Sequence, residues 1–246
     1  IYVGRSKHIR RRIDQHLKNT KSQKGLTLLK EIVRIEYELT GSDLIASFTE
    51  LSLISKNAPI YNTPIRKSKY TYGLYDYKDE AGYQRFFIGL TSRLTETPLM
   101  GYTSKKEGGS HLLSLIDEHE LCQKLCELYP STSSCLEYQE GKCRGACVQD
   151  ELPELYNIRA NNLINQLLLV GQNFYIIDNG RQKGEKSVVL IEDGELKAFG
   201  YTPFHFQFNS IVKWRHTLND LEVNSDMFTM LRNYIKNNPA LNIVTF

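Results

Sequence analysis

The sequence predicts an α+β protein: a small mixed sheet flanked by helices, then a cysteine-rich module, then a C-terminal β-rich unit. Three observations predict it. Apolar residues recur at helical spacing in 7–18 and 42–56, apolar runs bracket turn residues at 70–90 and 185–201, and all five cysteines fall between 122 and 147. A chain of 246 residues with 41% hydrophobic and 24% charged residues is an ordinary globular composition, which excludes collagen-like, disordered and low-complexity classes. No apolar stretch approaches the ~18–20 residues of a membrane span.

Residues 1–4 (IYVG) read as the end of a strand, and a chain that opens inside such a run is expected to lack its true start. From Lys7 to Lys18, Ile9, Ile13 and Leu17 form an apolar stripe, and His8, Arg12 and His16 project together from a neighbouring face. Residues 19–26 read as a polar connection, and the alternation of 32–39 (IVRIEYEL) as a strand. Ser42 is an N-cap candidate for a helix running to about Lys56, with Leu44, Ile45, Phe48 and Leu51 as its apolar stripe and Glu50 to one side.

Residues 70–77 and 84–90 predict a hairpin around Asp79–Gly82, and 111–129 and 153–170 predict helices, the second with Pro153 in its first turn. Strands are expected over 173–178, 185–192 and 195–201, the last two joined by the hairpin signal Asp193-Gly194, and a helix over 225–237. Four regions are therefore expected: 1–66, a hairpin and connection over 67–110, a cysteine module over 111–150, and an α+β unit over 151–246.

Charge is distributed unevenly. Residues 1–36 hold ten Lys/Arg against Asp14, Glu31 and Glu36, whereas 117–154 hold nine acids against Lys124, Lys142 and Arg144. A basic front end suits a polyanionic partner, and two solvated faces are the plainer alternative.

The segment Ile1-Tyr2-Val3-Gly4-Arg5-Ser6-Lys7, then Arg12 in Arg11-Arg12-Ile13, then Glu50 in FTELSLI, then Tyr61-Asn62, resembles the GIY-YIG nuclease domain. The resemblance is strongest to the excision-repair endonucleases UvrC and Cho. Ten residues separate Tyr2 from Arg12 and twelve separate Glu50 from Asn62. The resemblance implies phosphodiester hydrolysis on DNA with one Mg²⁺ or Mn²⁺, in nucleotide excision repair, in the bacterial cytoplasm.

By residue, the resemblance implies Tyr2 as the proton acceptor, Arg12 as the phosphate clamp, Glu50 as the metal ligand and Asn62 as an orienting group near the metal. His16 stands where UvrC-like sequences often have Tyr and other members have His, and the resemblance makes it a candidate auxiliary proton carrier. Gly4 would let the backbone approach substrate, and Arg5, Lys7, Arg11, Arg66, Lys67 and Lys69 are phosphate candidates. The strand bearing the family's other tyrosine is expected before Ile1.

The run LCQKLCELYPSTSSCLEYQEGKCRGAC resembles the cysteine-rich stretch of UvrC and Cho, so the resemblance extends to about residue 150. It implies that Cys122, Cys135, Cys143 and Cys147 hold a 4Fe–4S cluster. Zinc and buried thiols are the alternatives, and Cys126 could replace Cys122. His111 and His119 are alternative metal ligands or ordinary helix residues. Tyr70, Tyr72, Tyr75 and Tyr77 beside Arg66, Lys67 and Lys69 either stack nucleobases or fill a half-buried hairpin.

The tail after 151 is similar, in overall pattern alone, to tails of bacterial proteins that place a polymerase-type 3′–5′ exonuclease domain before a UvrC/Cho-like nuclease. Expected partners are DNA and, beyond it, damage-recognition proteins of repair or such an exonuclease domain in the same chain, with no membrane. Two rival readings are a catalytically inactive DNA- or partner-binding module and a structure-specific nuclease acting on mobile DNA.

Overall fold

A computed structural model describes residues 1–62, 70–129, 133–203, 214–215, 218–220 and 225–246. Among them, three helices occupy the N-terminal region: α1 (Ile9–Leu17), α2 (Gln23–Glu31) and α3 (Asp43–Asn57). Strands β1 (Tyr72–Lys78), β2 (Gln84–Leu90) and β3 (Met100–Tyr102) form a sheet in the order β2-β1-β3. Helices α4 (Lys105–Glu118), α5 (Leu136–Gln139) and α6 (Pro153–Leu167) follow. A second sheet has the order β7-β6-β5-β4-β8, built from β4 (Phe174–Asn179), β5 (Glu185–Glu192), β6 (Glu195–Pro203), β7 (Leu218–Asp220) and β8 (Asn242–Thr245). Helix α7 (Ser225–Asn237) precedes the last strand.

The α+β class stands, but both sheets are antiparallel, and no strand is formed among residues 1–62. Residues 1–4 and 32–39, expected as strands, run without ladder partners. Alternation specifies which face a residue takes, whereas a strand also needs a neighbour to bond with. Val33 is accordingly 98% exposed. The expected polar connection at 19–26 instead runs into α2, where the Ser22 side chain accepts from the Gly25 amide at 3.1 Å.

Helix α4 starts earlier and ends earlier than expected. Ser104 accepts from the Glu107 amide (3.2 Å) while the Glu107 carboxylate accepts from the Thr103 amide (3.0 Å), a reciprocal cap that fixes the start. Beyond Glu118 the backbone takes positive φ at Glu120 (50°) and Glu127 (52°), so 119–129 is a series of turns rather than helix. The Asp193-Gly194 hairpin forms as expected, with φ of 50° and 78°.

Three cores organise the described residues. The first joins Leu74, Phe86 and Tyr102 of the small sheet to Leu112 and Ile116 of α4, to the cysteine segment, and to Tyr156 and Leu163 of α6. It draws on residues either side of 110 and 150. The other two lie on opposite faces of the five-stranded sheet, because successive β4 residues point to opposite sides. Phe174 and Ile176 enter one, and Tyr175 and Ile177 the other. The first of these faces is covered by α7 and by Leu44, Ile45 and Phe48 of α3.

Candidate active site

The N-terminal segment carrying Tyr2 has no strand beside it, and a side chain supplies what a ladder would. Asn62 accepts from the Val3 amide and donates to the Val3 carbonyl, both at 2.8 Å, and the Tyr61 amide donates to the Ile1 carbonyl at 3.0 Å. Ala58, at φ 41°, ends α3 and turns the chain back toward this clamp. Asn62 thus orients the Tyr2 segment through its backbone.

Helix α1 buries no residue and presents Arg12 and His16 on one face. Arg12 Nη2 donates to the Tyr2 phenol oxygen at 3.2 Å, and the His16 ring lies against the Tyr2 ring at 4.7 Å between centroids. Burial, then the positive charges of Arg12 and Lys24, hold His16 below its ordinary pKa, favouring the neutral ring. Its Nε2 is buried with no hydrogen-bond partner among the described residues. The Tyr2 ring folds over Gly4: a Cβ there would lie 2.6 Å from the Tyr2 hydroxyl.

Glu50, on α3, faces the same region. Its Oε2 accepts from Arg5 Nε at 3.1 Å, and Arg5 Nη1 reaches Asp43 Oδ1 at 3.0 Å. Arg5, expected at phosphate, is therefore engaged by two carboxylates, and Lys7 lies 3.8 Å from Asp43. Arg11 is exposed on α1, and Arg66, Lys67 and Lys69 lie outside the described residues.

A cleft of about 410 Å³ is lined by Tyr2, Gly4, Arg5 and Glu50 and, on its far wall, by Arg34, Glu36 and Glu38. A pocket of about 200 Å³ beside it is lined by Arg12 and His16 and shares Tyr2, Arg5, Arg34 and Glu36. The far-wall residues were not singled out as site residues; the polar positions of the 32–39 alternation were their signal. Glu50 is a partly exposed oxygen donor with one cationic neighbour, a donor set that suits a hard divalent cation keeping most of its waters.

The cysteines gather separately. One sulfur each from Cys122, Cys135 and Cys147 lies within 4.8 Å of the others, and the Cys122 and Cys135 sulfurs are 3.9 Å apart. Cys143 lies outside that three-sulfur group, and the neighbouring Cys122 thiol, more than any other cause, holds its pKa below the ordinary thiol value. All five cysteines are free thiols. Cys126 is directed elsewhere, 4.0 Å from the Tyr156 hydroxyl, and burial pushes its thiol up to about 12.

His111 and His119 do not join the sulfurs. His111 Nδ1 is 2.7 Å from the Tyr102 hydroxyl, and His119 Nε2 is 3.9 Å from Glu118. Of the hairpin tyrosines, Tyr75 is buried and stacks on Phe87 with centroids 5.5 Å apart, Tyr72 packs on the first core, and Tyr77 donates to Glu127 at 2.9 Å. Tyr70 is half-buried. These rings serve the hairpin's own packing.

Comparisons with known proteins find similarity over two regions of the chain. Residues 1–63 match the family model described as UvrC-like GIY-YIG domain, and residues 72–166 match UvrC/Cho excinuclease, middle domain. The chain is 29% identical over 188 residues to UvrABC system protein C of Bdellovibrio bacteriovorus, which covers 74% of this chain. It spans 29% of the length of that relative. No solved structure matches. Among the described residues, no helix is long and apolar enough to cross a membrane.

Proposed function

The chain belongs, over residues 1–63 and 72–166, to the UvrC/Cho-type GIY-YIG endonucleases, and on that premise we propose that it hydrolyses a DNA phosphodiester at a lesion or distorted structure in nucleotide excision repair. The observation that carries this reading is the contact of Arg12 with the Tyr2 phenol oxygen, with neutral His16 against the same ring and Glu50 lining the adjoining cleft.

Tyr2 takes a proton from the attacking water as it gives its own phenolic proton to His16, while the water oxygen bonds to phosphorus and the bond to the departing oxygen breaks. Arg12 holds the phenol oxygen and turns its remaining donors to the scissile phosphate. His16, with a free Nε2, relays the proton to solvent. Glu50 would hold a Mg²⁺ or Mn²⁺ ion, which would supply neutralisation of the charge that builds up during hydrolysis. Asn62 keeps the Tyr2 segment in register. DNA is the partner of residues 1–66, damage-recognition proteins or an exonuclease domain in the same chain are the candidate further partners, and the bacterial cytoplasm is the setting.

Cys122, Cys135, Cys143 and Cys147 hold a structural metal centre, with 4Fe–4S the family-based reading. Zinc is favoured by one observation: around a single tetrahedral ion with Zn–S of about 2.3 Å the sulfurs stand roughly 3.8 Å apart, close to the 3.9 Å of Cys122 and Cys135. Metal analysis and visible absorption of the protein purified without oxygen separate the two.

The functional reading is tested by incubating the full-length protein with Mg²⁺ or Mn²⁺ and a duplex bearing one bulky lesion, beside an undamaged duplex. The expected result is nicking of the damaged duplex that stops with chelator and in Glu50→Gln, with DNA binding retained. Nicking by Glu50→Gln at the wild-type rate overturns the assignment. Binding with no nicking by the wild type favours a DNA- or partner-binding module.

A further inference from the structure

The five-stranded sheet and α7 lie beyond both matched regions, yet they contact the helix that carries Glu50. Helix α3 has two working faces. Leu44, Ile45 and Phe48 are at most 1% exposed, and the core they enter is otherwise built from residues 169–231. Thr49, Glu50 and Leu53, on the other side, line the cleft. Helix α1 buries nothing and α2 buries only Gly25 and Leu28, so among the described residues these two helices bring α3 little buried surface.

The entry to α3 is fixed by the same sheet. Gly41 sits at φ +70°, and a Cβ there would run into the Gly180 carbonyl at the end of β4. Tyr201, on β6, donates to the Thr40 carbonyl at 3.2 Å. The Tyr201 ring is in turn held by the Arg181 guanidinium, 4.1 Å from its centroid, which Glu185 pairs at 2.6 Å. The backbone just before α3 is thus seated on the β4–β5 turn, and the helix follows from there over Phe199, whose ring centroid is 6.0 Å from that of Phe48.

We propose that the C-terminal sheet is the platform that sets α3 against the cleft, and that Gly41 and Tyr201 are positioning residues for Glu50. The proposal rests on the nuclease reading for its chemical consequence. Its structural content, that the sheet fixes the helix, stands apart from it. A carboxylate displaced by about 1 Å costs up to about a hundredfold in rate without any change at the reacting groups themselves.

The test uses Gly41→Ala and Tyr201→Phe in the full-length protein, with Leu190→Ala as a control. Leu190 is buried in the core on the opposite face of the sheet, so its truncation weakens the unit without touching the α3 side. Three quantities are read: Mn²⁺ affinity by calorimetry, kcat against KM for nicking, and amide hydrogen exchange across 44–53.

Gly41→Ala is expected to weaken Mn²⁺ binding and lower kcat, each by about tenfold or more, with KM for DNA unchanged and faster exchange in α3. Tyr201→Phe is expected to move all three the same way by a smaller factor, while Leu190→Ala lowers the melting temperature and leaves Mn²⁺ affinity alone. Wild-type Mn²⁺ affinity and exchange in both Gly41→Ala and Tyr201→Phe overturn the proposal, as does an equal loss of affinity in Leu190→Ala. If the wild type neither binds Mn²⁺ nor nicks, the nuclease reading fails, and the exchange rates of α3 still decide whether the sheet holds it.

Discussion

Around Glu50 the candidate ligands are oxygens on an open cleft, one of them already satisfied by Arg5, and the surrounding elements bury little. Around Cys122 the ligands are sulfurs, two of the four fully buried, packed into the same core as Tyr102, Leu112 and Tyr156. An open, hydrated, oxygen-lined site can admit a charged backbone and exchange a hard cation, which is what hydrolysis of a phosphodiester demands. A closed nest of thiols leaves no position for substrate, and its metal would contribute folding energy instead. On the proposed function the two regions would divide the work, one reacting and one holding.

The division is broken most sharply at the thiols. Cys135→Ser is expected to cost several kcal/mol of stability, on the scale of losing a structural metal, whereas Cys126→Ser, outside the group, costs about 1 kcal/mol. Denaturant unfolding of the two variants checks this, and equal losses would mean that the sulfurs act as ordinary buried side chains.

At the cleft the expected effects are kinetic. Arg12→Ala should lower the nicking rate by about 10²–10³ with little change in unfolding midpoint, because α1 has no buried residue to lose. Arg12→Lys should recover only part of that rate, since a lysine cannot hold the phenol oxygen and a phosphate together. Single-turnover nicking measures both.

Asn62→Ala removes two bonds to the Val3 backbone and should slow nicking by about tenfold while leaving the thiol centre's metal content unchanged. The contrast sought is a loss confined to one region.

The smallest effect concerns pH and lies at neither site. Burial, then the charge of Lys236, lowers His111 from 6.5 to about 4. The unfolded chain therefore binds the extra proton first, so this stabilising contribution is complete above about 6.5 and is lost as pH falls toward 4. The melting temperature should decline between pH 7 and 5, and His111→Phe should flatten that slope; an unchanged slope would assign the decline to other groups.

Much of the fold was legible because local signals were strong. The apolar stripes of α1 and α3, the Asp193-Gly194 turn and the limits of α7 all follow from periodicity and turn chemistry. Helix α2 was hidden by a polar first turn, and β3 and β8 are too short to show a period. The alternation of 32–39 was a sound reading of faces but says nothing of a partner strand.

At the site, the four-residue spacing put Arg12 and His16 on one face, and the family resemblance brought Tyr2 to them. The Arg5–Glu50 pair and the Asn62 clamp were not legible, since each joins residues more than 40 apart through contacts that only the fold creates. The separation of Cys126 from the other thiols depends likewise on Tyr156, thirty residues away.

The most direct test of the division between the two regions is paramagnetic line broadening by Mn²⁺, followed at the backbone amides of the isotope-labelled protein. Broadening confined to residues 2–6 and 48–53, and lost in Glu50→Gln, is the predicted result. Broadening centred on 122–147, or retained in full by Glu50→Gln, would contradict it.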